Sequence, residues 1–177
     1  MIAMPLIEFD RIPYRVGEFF RAVTAKPDPE MARIASKYLS PSLLELFERM
    51  SPYDQAHCVA VMNRLLDSGE EDPDLLAAAL LHDVGKSKIK LSVWYRVAAV
   101  LLREKLRFFA CKTPGKPLCY SVYIQVEHPR IGAEMAKQAG CSDRCARLIL
   151  YHQEKNPPLE PEERRMVSVL QQADKEL

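Results

Sequence analysis

Glycine is scarce in this chain, with six residues among 177. No Asn-Gly or Asp-Gly pair separates alternating apolar and polar runs, so β-hairpins have little support. The five cysteines, Cys58, Cys111, Cys119, Cys141 and Cys145, form no Cys-x-x-Cys. An odd, scattered set argues against a disulfide framework and against a finger- or ribbon-type zinc site. Cys141 and Cys145, one helical turn apart, read as small apolar core residues. Charge of one sign is also missing. Lysine and arginine total 25, aspartate and glutamate 24, for a net charge of +1. That balance gives no electrostatic reason to expect DNA or RNA as a partner. The uncharged apolar run near the middle, Val97 to Leu102, is far too short to span a bilayer. The start, Met1 to Pro5, leads quickly to Glu8 and Asp10 and has neither the basic nor the apolar region of a signal peptide. The expected location is the cytoplasm.

What the chain has instead is helical periodicity punctuated by thirteen prolines. Asp28-Pro29-Glu30 predicts a helix toward Tyr38, and Ser40-Pro41 a second to about Met50. Ser51-Pro52 opens a third, with His57, Val61 and Leu65 on one face. The stretch from Asp74 to about Asp83 is apolar nearly all round and should be buried, with Gly85 ending it. Pro129 reads as opening a helix that Gly140 closes. Ser142 caps another to about Gln153, and a last one runs from Pro161 to about Asp174. The fold class is all-α. The organisation reads as an N-terminal helical extension over 1–50, packed on a domain over 51–177 with an inserted basic and apolar segment at 86–127. Residues 1–27 read as an irregular lead-in, and Lys112 to Pro117 as a loop.

The chemistry lies in the histidines. There are four, His57, His82, His128 and His152. Each falls at the end or inner face of a predicted helix. Asp83 follows His82 directly, and Asp174 follows Leu170 by four residues on the last helix. A buried imidazole or carboxylate without a partner costs a few kcal/mol, more when ionised. So many such groups in one small core call for a shared partner. A divalent cation is the simplest, because neutral imidazole and carboxylate are its common ligands. Asp83 has two oxygens and can face two ions, as in sites whose metals lie roughly 3.5–4 Å apart.

The segment Leu80-Leu81-His82-Asp83-Val84-Gly85-Lys86 resembles the signature of the HD superfamily of metal-dependent phosphohydrolases. The series His57, His82-Asp83, His128, His152, Asp174 is similar to that of its binuclear members, over about residues 51–177. The resemblance implies a compact helical bundle of the HD-domain type. It implies that His57, His82, Asp83 and Asp174 bind a first metal, that Asp83 bridges to a second, and that His128 and His152 complete the second site. Mononuclear members use only the first four. Lys86 matches a lysine that contacts substrate phosphate or helps the leaving group, so Asp83 and Lys86 are the expected catalytic pair. Arg130, two residues past His128, is a further candidate for the phosphate, or else a solvated arginine.

The implied activity is hydrolysis of a phosphomonoester, phosphodiester or anhydride of a nucleotide or related small molecule by metal-activated water. The implied cofactor is one or two divalent ions, with Fe, Mn, Ni, Co, Zn and Mg not distinguished. Members that cleave cyclic dinucleotides carry a Gly-Tyr-Pro motif. Here Tyr151-His152-Gln153-Glu154-Lys155-Asn156-Pro157-Pro158 stands in its place, which argues against cyclic di-GMP as substrate. The chain most resembles small stand-alone bacterial members. Two alternatives stay open: a di-iron oxygenase with the same ligand set, and a non-catalytic metal-binding module.

Leu91 to Ala110 mixes bulky apolar residues with Arg96, Arg103, Lys105 and Arg107. It reads as a helix packed on the core, its long basic stems covering apolar surface. Contact of 91–110 with a membrane surface is the less favoured reading. Lys88, Lys90 and Arg96 could also favour a polyanionic substrate.

Overall fold

The computed structural model describes residues 26–88 and 117–176. They form seven α-helices and a short 3-10 helix, and contain no strand. The expected all-α class is the class observed. The helices are α1 Pro29–Ala35, α2 Pro41–Glu48, α3 Pro52–Asp67, α4 Pro73–Leu81, α5 Pro117–Gln138, α6 Asp143–Tyr151 and α7 Pro161–Lys175, with the 3-10 helix Val84–Lys88 after α4. No helix among the described residues is long and apolar enough to cross a membrane. The expectations for 1–25 and for the segment 91–110 lie outside the described residues.

Proline sets the starts. Helices α1 to α4 and α7 each carry one in the first turn, where the missing N–H would have no intrahelical partner anyway. Side-chain caps take up the neighbouring donors. Asp28 accepts from the Glu30 N–H, Ser51 from Asp54, and Asp72 from both Asp74 and Leu75.

The core is built around α4. Every residue from Leu75 to Leu81 is buried, so this helix has no solvent face and must be wrapped by its neighbours. Leu65 and Met62 of α3, Leu148 and Ile149 of α6, and Met166 and Leu170 of α7 join it in one cluster. Phe47 of α2 and Ala35 of α1 belong to the same cluster. Each fully buried side chain of Leu or Met size contributes about 1.5–3 kcal/mol.

A polar staple aligns α4 with α6. Arg144 donates to Asp72 at 2.8 Å and to Asp74 at 2.7 Å, and Ser142 Oγ donates to Asp74 at 2.7 Å. The N-termini of the two helices are therefore tied together, and each helix has nine residues.

Two sequence expectations need correction. Helix α4 stops at Leu81 with His82 as its C-cap, before Gly85. Gly85 serves packing instead: a Cβ there would lie 2.2 Å from the His128 carbonyl oxygen and 2.9 Å from the Gly132 nitrogen. Second, Pro129 does not open a helix. It sits inside the continuous α5, where a proline ordinarily costs about 3 kcal/mol. Gly140, by contrast, closes α5 as expected, with φ +91, a conformation that suits glycine after a helix end.

Candidate metal centre

Five helices deliver side chains to one place. His57 comes from α3. His82 is the C-cap of α4, and Asp83 follows it. His128 lies within α5, His152 is the C-cap of α6, and Asp174 sits in the last turn of α7. All six residues expected from the sequence adjoin one another. His57 Nε2 lies 2.8 Å from Asp174 Oδ1, and His82 Nε2 lies 3.6 Å from that same oxygen. Asp83 places Oδ2 at 3.6 Å from His82 Nε2 and Oδ1 at 3.3 Å from His128 Nε2. The His82 and His152 ring centroids are 5.1 Å apart, and those of His128 and His152 are 5.2 Å apart.

Two groups could each hold a metal ion, His57 with His82 and Asp83, and Asp83 with His128 and His152. Within each group the donor atoms lie within 4.8 Å of one another. Asp83 belongs to both, one oxygen toward each side.

The buried rings share one way of being held. Nδ1 of His82 meets the Ala79 carbonyl at 2.9 Å, that of His128 the Gln125 carbonyl at 2.9 Å, and that of His152 the Ile149 carbonyl at 2.8 Å. A carbonyl only accepts, so each Nδ1 carries a proton, and Nε2 is the nitrogen left to face the cluster. This is the arrangement that metal-binding histidines need.

Burial makes the case sharper. His82, His128 and His152 are 1%, 1% and 3% exposed. Among the described residues three buried side-chain nitrogens lack a hydrogen-bond partner, and two of them are His82 Nε2 and His152 Nε2. An orphaned buried polar atom costs about 1–3 kcal/mol. Two such atoms facing a shared carboxylate fit a cation between them. Burial, with His82 and His128 nearby, pushes His152 down to about 3, so the ring is neutral and ready to donate. Burial alone would raise the Asp83 carboxyl, but Lys86, His82 and His128 hold it well below the usual range. The same opposition holds at Asp174, where His57 and His82 outweigh burial and keep the carboxyl lowered.

Lys86 lies at the edge of this cluster, its Nζ 2.5 Å from Asp83 Oδ2. Burial works to lower its ammonium, yet the Asp83 and Asp54 carboxylates outweigh that and leave it above its ordinary value. Arg130 is placed differently. Two residues past His128 means about 200° around the helix, and its guanidinium is taken up by Glu127 at 2.8 Å, Glu134 at 2.6 Å and the Tyr123 hydroxyl at 3.2 Å.

Two residues near the site escaped the sequence reading. Asp54 is 4% exposed and lies one turn before His57 on α3, a spacing that could have flagged it. Gln153 directs its side-chain amide to His128 Nε2 at 3.2 Å. Its place beside His152 was the only available hint.

The HD domain family model matches residues 55–176, well over half of the chain. The chain belongs to the HD domain family. No curated protein and no solved structure matches it. The HD match begins just before His57 and ends just after Asp174, so it encloses all six clustered residues. The HD domain family consists generally of metal-dependent hydrolases and belongs to the phosphohydrolase superfamily. The donor set found here suits divalent metal binding.

A cleft of about 200 Å³ lies between the 154–157 loop and α7, lined in part by Glu154, Lys155, Asn156, Arg164, Ser168 and Gln171. The Gln171 amide donates to the Glu154 carbonyl at 2.8 Å and so pins the loop to the helix. Val167, Gln171 and Asp174 are four and three residues apart on α7, hence on one face. Gln171, which lines the cleft, is thus one turn along α7 from Asp174.

Proposed function

We propose that this HD domain hydrolyses a small phosphate ester or anhydride, with a nucleotide or related metabolite as the substrate class. The observation that carries the reading is the pair of orphaned buried nitrogens, His82 Nε2 and His152 Nε2, on either side of Asp83. His57, His82, Asp83 and Asp174 would hold one ion, and Asp83, His128 and His152 a second. When bound, such an ion polarises a phosphoryl oxygen and lowers the pKa of water toward neutrality.

The protein's own groups do the rest. Asp83, kept ionised by Lys86 and by the His82 and His128 rings beside it, holds negative charge at the centre of the cluster. Lys86, kept protonated beside Asp83 and Asp54, offers a positive charge to the developing negative charge of the phosphoryl group, or a proton to the leaving oxygen. Gln153 occupies the His128 lone pair and can swing away, because its side chain is exposed. Lys155 and Arg164 give the neighbouring cleft two cations for an anionic or polar part of the substrate far from the reacting phosphorus. Arg130 is the weaker candidate for the phosphate, given its three partners along α5.

The test is a screen of phosphomonoesters, nucleotides and dinucleoside phosphates with protein loaded with manganese, iron, nickel or cobalt. Phosphate release that needs no oxygen, stops with chelator and is absent in Asp83→Ala is the expected result. Metal-loaded protein that turns over no phosphate compound, or consumes oxygen instead, overturns the reading.

A further inference from the structure

We propose that Pro129 is a positioning residue for His128. Its missing N–H leaves the Gln125 carbonyl free to hold the His128 ring by Nδ1, and this keeps Nε2 aimed at Asp83.

The inference starts from a difference among three similar rings. His82, His128 and His152 all donate Nδ1–H to the carbonyl three residues earlier. For His82 and His152 that carbonyl is available without further provision. Both residues are helix C-caps, and the last carbonyls of a helix have no intrahelical donor. His128 is ten residues before the end of α5. In mid-helix, each carbonyl is already taken by the N–H four residues later. The residue four after Gln125 is Pro129, which has no N–H. A proline ring also crowds the carbonyl four residues back and pushes it off the helical ladder. The proline thus creates, inside a continuous helix, the orphaned acceptor that the other two rings find at helix ends.

The consequence reaches the cluster directly. With Nδ1–H fixed on Gln125, Nε2 of His128 is the nitrogen that faces Asp83 Oδ1 at 3.3 Å and the Gln153 amide at 3.2 Å. A competing N–H at residue 129 would share the Gln125 oxygen, straighten the ladder and loosen the ring. The two effects of the proline then have opposite signs. It costs helix stability, and it orders a ligand-facing imidazole. The proposal rests on His128 as a cation donor for its use, but not for its geometry.

The decisive variant is Pro129→Ala, read in metal-free protein by imidazole nitrogen NMR. In the parent protein His128 is expected to be protonated at Nδ1 and bare at Nε2. In Pro129→Ala, His128 should show a mixture of both tautomers and exchange its ring proton faster by about tenfold, as for a weakened hydrogen bond. His82 and His152 should be unchanged, and the melting temperature should hold or rise. Manganese affinity should fall. An unchanged His128 spectrum overturns the proposal. So does a lower melting temperature with all three rings disturbed together, because that is the result of a purely structural proline. A backbone ester at position 129, with lactic acid in place of the residue, lacks the N–H as proline does. It should restore the parent tautomer, and a scrambled tautomer there refutes the idea even if Pro129→Ala fails to fold. The tautomer readout needs no metal and no substrate. Its failure is therefore distinct from a failure of the phosphohydrolase reading.

Discussion

Gly85 lies so close to His128 that a Cβ on residue 85 would stand 2.2 Å from the His128 carbonyl oxygen. That approach presses the 3-10 helix carrying Lys86 against the turn of α5 carrying His128. It also joins Asp83 to His128 across two elements remote in sequence. A methyl group cannot be accommodated there without moving backbone, since the obstacles are the carbonyl of 128 and the nitrogen of Gly132. Overpacking of this kind costs about 1–3 kcal/mol or more. Gly85→Ala is expected to lower the melting temperature by roughly 2–4 °C per kcal/mol for a chain of this size. It should also reduce bound metal. Calorimetry with elemental analysis checks both, and a variant that keeps its melting temperature and its metal contradicts the packing argument.

Asp83 is the one residue common to both candidate ligand groups. Asp83→Ala should therefore remove metal from both sides. His152→Ala should spare the group of His57, His82 and Asp83, leaving about half the metal that the parent protein retains. Metal-to-protein ratios after gel filtration distinguish the two. Equal losses in the two variants would mean that the cluster binds as a unit.

Chelation should destabilise the fold as well as stop turnover. Asp83 and Asp174 carry negative charge in a buried site, and two buried nitrogens lose their partner when the ion leaves. A ligand at about a hundred times its Kd adds about 2.7 kcal/mol to stability. Stripping it should lower the melting temperature by roughly 5–10 °C. Identical melting curves with and without chelator would count against metal binding by the folded state.

Lys86→Ala should lower kcat by about tenfold to a hundredfold while bound metal is retained. Its ammonium meets Asp83 at Oδ2, whereas His128 faces Oδ1, so that contact should survive the substitution. Lys86→Arg should recover little, since a planar guanidinium does not reproduce a compact ammonium at 2.5 Å. Steady-state kinetics beside metal analysis separates the chemical effect from loss of the ion.

Arg164 has no carboxylate partner among the described residues, whereas Arg144, Arg147 and Arg165 are all paired. If the cleft beside α7 receives an anionic part of the substrate, Arg164→Ala raises KM several-fold with kcat nearly unchanged, the mark of lost uniform binding. No change in either constant would leave the cleft outside the substrate's reach.

Much of this site is legible in the sequence because histidine is so rare in the chain. With four imidazoles in all, each on an apolar helical face, the cluster of His57, His82, His128, His152, Asp83 and Asp174 could be named before any coordinates. Helix starts were readable for a similar reason, as Asp28-Pro29 and Ser51-Pro52 combine a cap with a proline whose place in the first turn is fixed by sterics. The misreadings at Gly85 and Pro129 have one source. Both residues break helices on intrinsic preference, and both act here through a neighbour that local sequence does not show: the backbone of α5 for Gly85, and the Gln125 carbonyl for Pro129. Gln153 was missed because a glutamine after a ligand has no pattern of its own. Arg130 looked close to His128 along the chain, but separation along a helix is not separation around it.

The Arg144 staple has a consequence at the far end of the helices it joins. Starts tied together and equal lengths of nine residues bring His82 and His152 level, one capping each helix. The pair works as a ruler. Inserting one residue into either helix alone would advance its imidazole about 1.5 Å and swing it about 100°, away from the other. Spacing between Asp72 and His82, and between Ser142 and His152, is thus set by the site as well as by the core.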